Sequence, residues 1–323
     1  MACDVEPVSD FSNWIPIRVS MSDDGPRVHW FRLGDLELDD TYFSDTVARA
    51  AKRPLNLAFG RETSIAEAGA IANGASLTPS GFILHMSRCG STLVSKSFAL
   101  RADTLVIAEP GPVNDVLTMR DASISNETRA LWLRWIVQLL MRARRSKQTY
   151  AVFKLDAWHA RYLPVLTQAF PAVPWVFLHR DPLEVLVSHM GAASYMMSAA
   201  NAPAAAGLEI TDAIRYPRAE YCARVLAGIA DAIEAANPSR SQLVDYYELP
   251  GAIWARIGPL FGIESSEREI ARIRASAAFH AKRPQFTFEP DGEIKRAQAT
   301  SDVRAAAAAI EPNYRWLRSP TQQ

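Results

Sequence analysis

The chain is predicted to be an α/β protein, built on a parallel sheet flanked by helices on both faces. Three observations predict it. Short apolar runs recur at 82–86, 104–108, 150–155, 175–179 and 242–246. Longer stretches with helical spacing separate them, at 125–145, 158–170, 182–196 and 211–236. Two of the apolar runs end in loops suited to anions. Alternating strands and helices favour a parallel sheet covered on both sides, with ligands bound at the strands' C-terminal edge.

Residues 1–78 read differently, as an N-terminal accessory segment. Val28 to Leu33 reads as a strand and Tyr42 to Ala51 as a helix, among loops rich in Asp, Gly and Pro. Two roles stay open for it, a cap over a second substrate or additional packing. The first strand of the main body, Phe82 to Met86, breaks into the small-residue loop Ser87 to Thr92. A helix then begins with apolar positions at Leu93, Val94 and Phe98. The first N–H groups of a helix lack intrahelical partners and carry partial positive charge, so this geometry binds phosphate. Gly90 lets the backbone approach an anion closely, and Arg88 adds a permanent charge. The loop departs from the nucleotide-triphosphatase pattern G-x-x-x-x-G-K-[ST], lacking both its first glycine and its lysine.

The strand at 104–108 leads into Glu109, a carboxylate at the same sheet edge, with a helix beginning near Pro112. The strand at 150–155 leads into Lys154-Leu-Asp156-Ala-Trp-His159. The strand ending at His179 is followed by Arg180-Asp181-Pro182 and a helix that carries Ser188. Asp181 is a favoured N-cap, and Pro182 fits the first turn, where its missing N–H costs nothing. The run 192–207, rich in Ala, Ser and Met, is read either as a mobile cover or as a plain connection.

Composition excludes several classes. Thirty-five basic and thirty-five acidic side chains cancel, so nothing global draws the chain to nucleic acid or an anionic membrane. The basic run Arg142 to Lys147 reads as a solvated helix end. Cys3, Cys89 and Cys222 are too few and too scattered for a disulfide framework or a metal site. Cys89 lies at a helix N-terminus, which lowers a thiol pKa. A cysteine-phosphatase loop, however, would place an arginine where Ser95 stands. The N-terminus has no apolar core for a signal peptide, and the apolar stretch at 131–141 is interrupted by Arg134 and too short for a bilayer span. A cytoplasmic protein is expected.

Together, the Arg88-Cys89-Gly90-Ser91-Thr92 loop and the Arg180-Asp181-Pro182 edge with Ser188 resemble the sulfotransferase superfamily. The resemblance runs from about Ser80 to the C-terminus and implies a P-loop-type domain over 79–323. It implies 3′-phosphoadenosine 5′-phosphosulfate as donor co-substrate and a hydroxyl or amine on a small molecule or peptide as acceptor, with no metal. Arg88, Cys89, Gly90, Ser91 and Thr92 would hold the 5′-phosphosulfate, and Arg180 and Ser188 the 3′-phosphate. The arginine in the loop is most similar to protein-tyrosine and some bacterial sulfotransferases, in which a glutamate placed like Glu109 is the base. Lys154 matches a lysine that contacts the sulfuryl group. Asp156 stands where cytosolic relatives carry a histidine base, and His159 is a third candidate. Val244 to Leu249 resembles a strand end whose tyrosine faces the nucleotide, matched by Tyr247. Lys282 and Arg283 fall where relatives fold basic residues over the 3′-phosphate. The alternatives are a nucleoside or metabolite kinase and a non-catalytic nucleotide-binding protein of the same fold.

Overall fold

A computed structural model describes residues 11–73, 78–142, 145–192, 195–200, 207–236, 241–281 and 283–318. At its centre are five parallel strands, β4 (Gly81–His85), β5 (Thr104–Ala108), β6 (Tyr150–Lys154), β7 (Trp175–His179) and β8 (Ser241–Asp245), in the order β5-β6-β4-β7-β8. Ile83 pairs with Lys154 on one side and Val176 on the other, which fixes the register around the central strand. Every residue of β4 and β7 is buried. That is why these strands read as unbroken apolar runs instead of alternating ones. The chain leaves β4 for the far edge of the sheet, returns to β6, and then crosses to β7. β4 is therefore the topological switch point, where open α/β sheets bind ligands beyond their C-terminal ends.

The residues before β4 form an antiparallel sheet, β1 (Trp14–Ser22), β2 (Gly25–Arg32) and β3 (Arg61–Ser64), with α1 (Phe43–Ala51), α2 (Pro54–Ala58) and α3 (Ile65–Ala72). The expected strand and helix there are β2 and α1. β1 was not anticipated, because Pro16 and a register shift between Pro16 and Arg18 interrupt its pattern. This sheet is not a separate body. Phe11, Ile15, Val28 and Trp30 belong to the same buried cluster as the parallel sheet. Val19 N–H donates to Asp115 Oδ2 at 2.8 Å, tying β1 to α5 (Gly111–Thr118).

The remaining helices are α4 (Ser91–Ala99), α6 (Asn126–Met141), α7 (Leu163–Ala169), α8 (Pro182–Gly191), α9 (Ile210–Ala213), α10 (Arg218–Ala235), α11 (Gly258–Leu260), α12 (Glu267–Ala277), α13 (Gly292–Gln298), α14 (Ser301–Ala309) and α15 (Glu311–Arg315). A short pair, β9 (Phe279–His280) and β10 (Arg283–Thr287), lies between α12 and α13.

Several predicted helices are shorter or divided, and proline accounts for two of the divisions. The stretch expected over 211–236 splits into α9 and α10, with Pro217 as the N-cap of α10. Proline has no N–H to continue a preceding helix and disfavours helical backbone in the residue before it. The stretch from Trp158 begins as a tight turn, Ala157–Tyr162, and becomes α-helical only at Leu163, next to Pro164. The helix from Pro182 ends at Gly191 instead of reaching Met196. No described helix is long and apolar enough to cross a membrane.

Candidate functional site

All five strand ends open onto one cavity of about 640 Å³. From β4 come His85, Ser87, Arg88, Gly90, Ser91 and Thr92; from β5, Glu109; from β6, Lys154 and Asp156; from β7, Arg180 and Ser188; from β8, Tyr246. The volume lies within the range of small-molecule pockets.

The loop between β4 and α4 is conformationally costly. Ser87 and Arg88 have φ of 78° and 55°, and Gly90, the N-cap of α4, has φ of 83°. Side-chain-bearing residues held in this left-handed region cost on the order of 1–3 kcal/mol each and cluster at functional sites. Glu109 is the remaining non-glycine residue with positive φ among those described, at 54°. All of these strained residues face the cavity. Gly90 is also a close approach, since a Cβ there would lie 2.5 Å from Leu249 Cδ1. Arg88 donates from Nη2 to Ala192 O at 2.6 Å, reaching the end of α8. Cys89 is fully buried, its Sγ 3.2 Å from Leu178 O, and burial pushes its thiol up to about 12. It packs beneath the loop and is not among the residues that line the cavity.

At the β5–β6 end, Lys154 is 1% exposed and makes an ion pair with Glu109. Its ammonium also lies 5.3 Å from the centre of the Tyr42 ring, so the N-terminal residues contribute a wall to the cavity. His85 was not anticipated; as the last residue of an apolar strand it gave no separate signal. Its Nδ1 accepts from Ser87 N–H at 3.0 Å, and its Nε2 lies 3.9 Å from Glu109 Oε1.

Asp156 is pushed up to about 7, first by burial and then by the neighbouring Glu109 charge, with Lys154 opposing. His159 stands outside the cavity. Its Nδ1 accepts from Asp156 N–H at 3.3 Å and its Nε2 lies 3.1 Å from Asn114 Oδ1, so both ring nitrogens are occupied. Burial holds its pKa down at about 3, which keeps it neutral.

The raised pKa of Asp156 makes a stability prediction. The folded state holds its proton more tightly than the unfolded chain between about pH 4 and 7, so the wild type loses stability as pH rises through that window. Asp156→Asn has no proton to lose there. Thermal denaturation is expected to show the variant gaining on the wild type from pH 4 to pH 8. A difference that does not change with pH would show that Asp156 titrates normally.

At the β7–β8 end, Arg180 is 3% exposed and lies over Tyr246, its Cζ 4.0 Å from the ring centre. It donates to Glu184 Oε2 at 2.7 Å, to Asp291 Oδ1 at 2.6 Å and to Arg88 O at 3.5 Å. Ser188 lines the cavity and donates to Glu184 O at 3.0 Å. Tyr246 lines the cavity, whereas Tyr247 is 55% exposed and donates its hydroxyl to Glu184 Oε1 at 2.6 Å. The motif match selects Tyr247, but adjacent tyrosines at a strand end point to different sides, and here it is Tyr246 that lines the cavity. Lys282 lies outside the described residues. Arg283 is described only as backbone, in β10 opposite His280. Phe279, His280, Phe288, Asp291 and Lys295 complete the wall from the C-terminal region, and none was anticipated. Of the 192–207 run, Met196 is buried and lines the cavity, while 193–194 and 201–206 lie outside the described residues. Among the described residues no group of three or more His, Cys, Asp or Glu side chains is placed to hold a metal ion.

No protein-family model matches this chain, and no curated protein matches it. Several solved structures are similar to it. A sulfotransferase from Mycobacterium avium shares 13% identity over 75% of this chain and 76% of its own, with a TM-score of 0.46. One from Alicyclobacillus acidocaldarius shares 13% identity over 73% of this chain and 95% of its own, at 0.41. The sulfotransferase domain from the curacin biosynthetic pathway shares 14% identity over 73% of this chain and 98% of its own, at 0.41.

Proposed function

We propose that this protein is a sulfotransferase that moves a sulfuryl group from 3′-phosphoadenosine 5′-phosphosulfate to a hydroxyl or amine acceptor. The observation that carries the reading is the strained Ser87–Gly90 loop at the start of α4, which carries Arg88 and shares the cavity with Arg180 at the switch point of the sheet. Left-handed backbone of this kind turns successive N–H groups toward one point and makes an anion site, which the helix N-terminus reinforces.

In this reading the amides of residues 90–92 and Arg88 hold the phosphosulfate. Arg180 and Ser188 hold the 3′-phosphate, and Tyr246 supports the Arg180 guanidinium from below. The acceptor enters on the side of Tyr42, Glu109 and Lys154. Its nucleophilic atom attacks sulfur as the bond from sulfur to the bridging phosphate oxygen breaks. That oxygen leaves with the bond's electron pair, and Arg88 and the loop amides stabilise its charge. Glu109 accepts the acceptor's proton. Lys154, buried and paired with Glu109, sits beside the position of the transferring group. Asp156, with a pKa near neutrality, is the second candidate base.

Thermal shift tests the donor class. Adenosine 3′,5′-bisphosphate at a hundred times its dissociation constant is expected to stabilise the fold by about 2.7 kcal/mol. ATP with Mg²⁺ at equal concentration is expected to do less, and the reverse order would favour a kinase. A second expectation concerns Arg180→Met, which keeps the stem over Tyr246 and removes the charge. This variant should lose most of the preference for the 3′-phosphorylated nucleotide over AMP, with a full charge-assisted contact of about 1.5–3 kcal/mol, roughly ten- to a hundredfold, as the upper bound of the loss. Retention of the wild-type preference in a direct titration would remove Arg180 from the 3′-phosphate site.

A further inference from the structure

Asp291 lies where a bound anion would sit. Its Oδ1 accepts from Arg180 Nη2 at 2.6 Å, and its Oδ2 is 2.6 Å from Lys295 Nζ. All three residues line the cavity. The Nε side of the Arg180 guanidinium is already taken by Glu184, and Tyr246 covers one of its faces.

The two carboxylates on Arg180 are held very differently. Glu184 is fully buried and also accepts from the Tyr247 hydroxyl at 2.6 Å and from Arg296 Nε at 2.8 Å. Removing it from Arg180 would strand a buried charge. The Asp291 side chain is 41% exposed, and the partners described for it are the two cavity-lining cations. Its backbone is seated, because a Cβ on the adjacent Gly292 would lie 2.5 Å from the Tyr247 hydroxyl and 2.9 Å from Glu184 Oε1. The Asp291 carboxylate can nevertheless swing toward solvent by side-chain rotation alone.

We propose that Asp291 is a specificity-determining residue, an internal anion that competes with the ligand's 3′-phosphate for Arg180 and Lys295. The proposal rests on reading the cavity as the donor nucleotide site. A nucleotide without a 3′-phosphate leaves Asp291 in place. One that carries the phosphate exchanges one anion for another, so only the difference between the two pairings appears as selectivity. Removing the Asp291 charge leaves Arg180, Lys295 and Arg296 facing Glu184 alone. The subsite then presents uncompensated positive charge to the 3′-phosphate.

Calorimetric titration of wild type, Asp291→Asn and Asp291→Ala with adenosine 3′,5′-bisphosphate and with AMP tests this. Both variants are expected to bind the bisphosphate about ten- to a hundredfold more tightly, the range of one charge-assisted contact. Their AMP affinity should match that of the wild type. If the wild type binds the bisphosphate and the variants bind it equally or more weakly, Asp291 is not a competitor and the inference fails alone. Equal tightening for both nucleotides would reduce the effect to general charge and also overturn it. If wild type and variants all fail to bind the bisphosphate, the donor reading falls and the inference falls with it.

Discussion

Glu109→Gln is expected to bind nucleotide as the wild type does and to turn over about 10²–10⁴-fold more slowly, the usual loss for a general base. The substitution keeps the shape of the side chain and most of its hydrogen bonding while removing its basicity. Glu109 combines a place on the cavity wall, a strained backbone at φ 54° and an ion pair with buried Lys154. Strain of this kind is retained where the surroundings require one side-chain direction. The rival base is Asp156, whose pKa near 7 would suit proton transfer at neutral pH. The pair separates cleanly in single-turnover measurements. Normal turnover in Glu109→Gln together with a dead Asp156→Asn would move the base to Asp156. His159 is not a competitor in this geometry, because Asn114 and the Asp156 amide engage both of its nitrogens.

Arg88→Ala is expected to lower turnover by about 10²–10³-fold, the cost of removing one donor from a preorganised anion site, with a much smaller loss of nucleotide affinity. Its charge matters most as the bridging oxygen takes up negative charge, so the effect belongs to the transition state. Arg88→Lys should recover part of the rate. Equal losses in rate and affinity would make Arg88 a ground-state binder. The left-handed φ of 55° at this position strains arginine and alanine alike, so the substitution adds no backbone strain. A thermal denaturation control separates any loss of folding stability from the loss of charge.

The parallel sheet was legible because strands buried on both faces must be apolar throughout, and 104–108 and 175–179 stand as predicted. Arg88, Glu109, Lys154 and Arg180 were legible for a related reason. Each interrupts or ends an apolar run, and in a parallel sheet those ends converge at one edge. What escaped notice came from elsewhere in the fold. Tyr42 arrives from the N-terminal residues, Asp291 from the turn into α13 and Lys295 from α13 itself. Nothing local in an Asp-Gly turn or a lysine on a short helix marks it as a cavity wall, since only tertiary packing places it there. His85 was hidden by its own strand. Glu184, in the first turn of α8, gave no separate signal, yet it is fully buried and anchors Arg180, Tyr247 and Arg296.

In the proposed function sulfur, and not phosphorus, is transferred at this cavity. The most direct test incubates the protein with 3′-phosphoadenosine 5′-phosphosulfate carrying labelled sulfur and follows the appearance of adenosine 3′,5′-bisphosphate together with the label. Without a known acceptor, the readout is slow transfer to water. Wild type is expected to produce bisphosphate and labelled sulfate in equal amounts, above the rate of Glu109→Gln and of Arg88→Ala. Donor that stays intact at saturating protein, or release at the same rate from wild type and both variants, would overturn the proposed sulfuryl transfer.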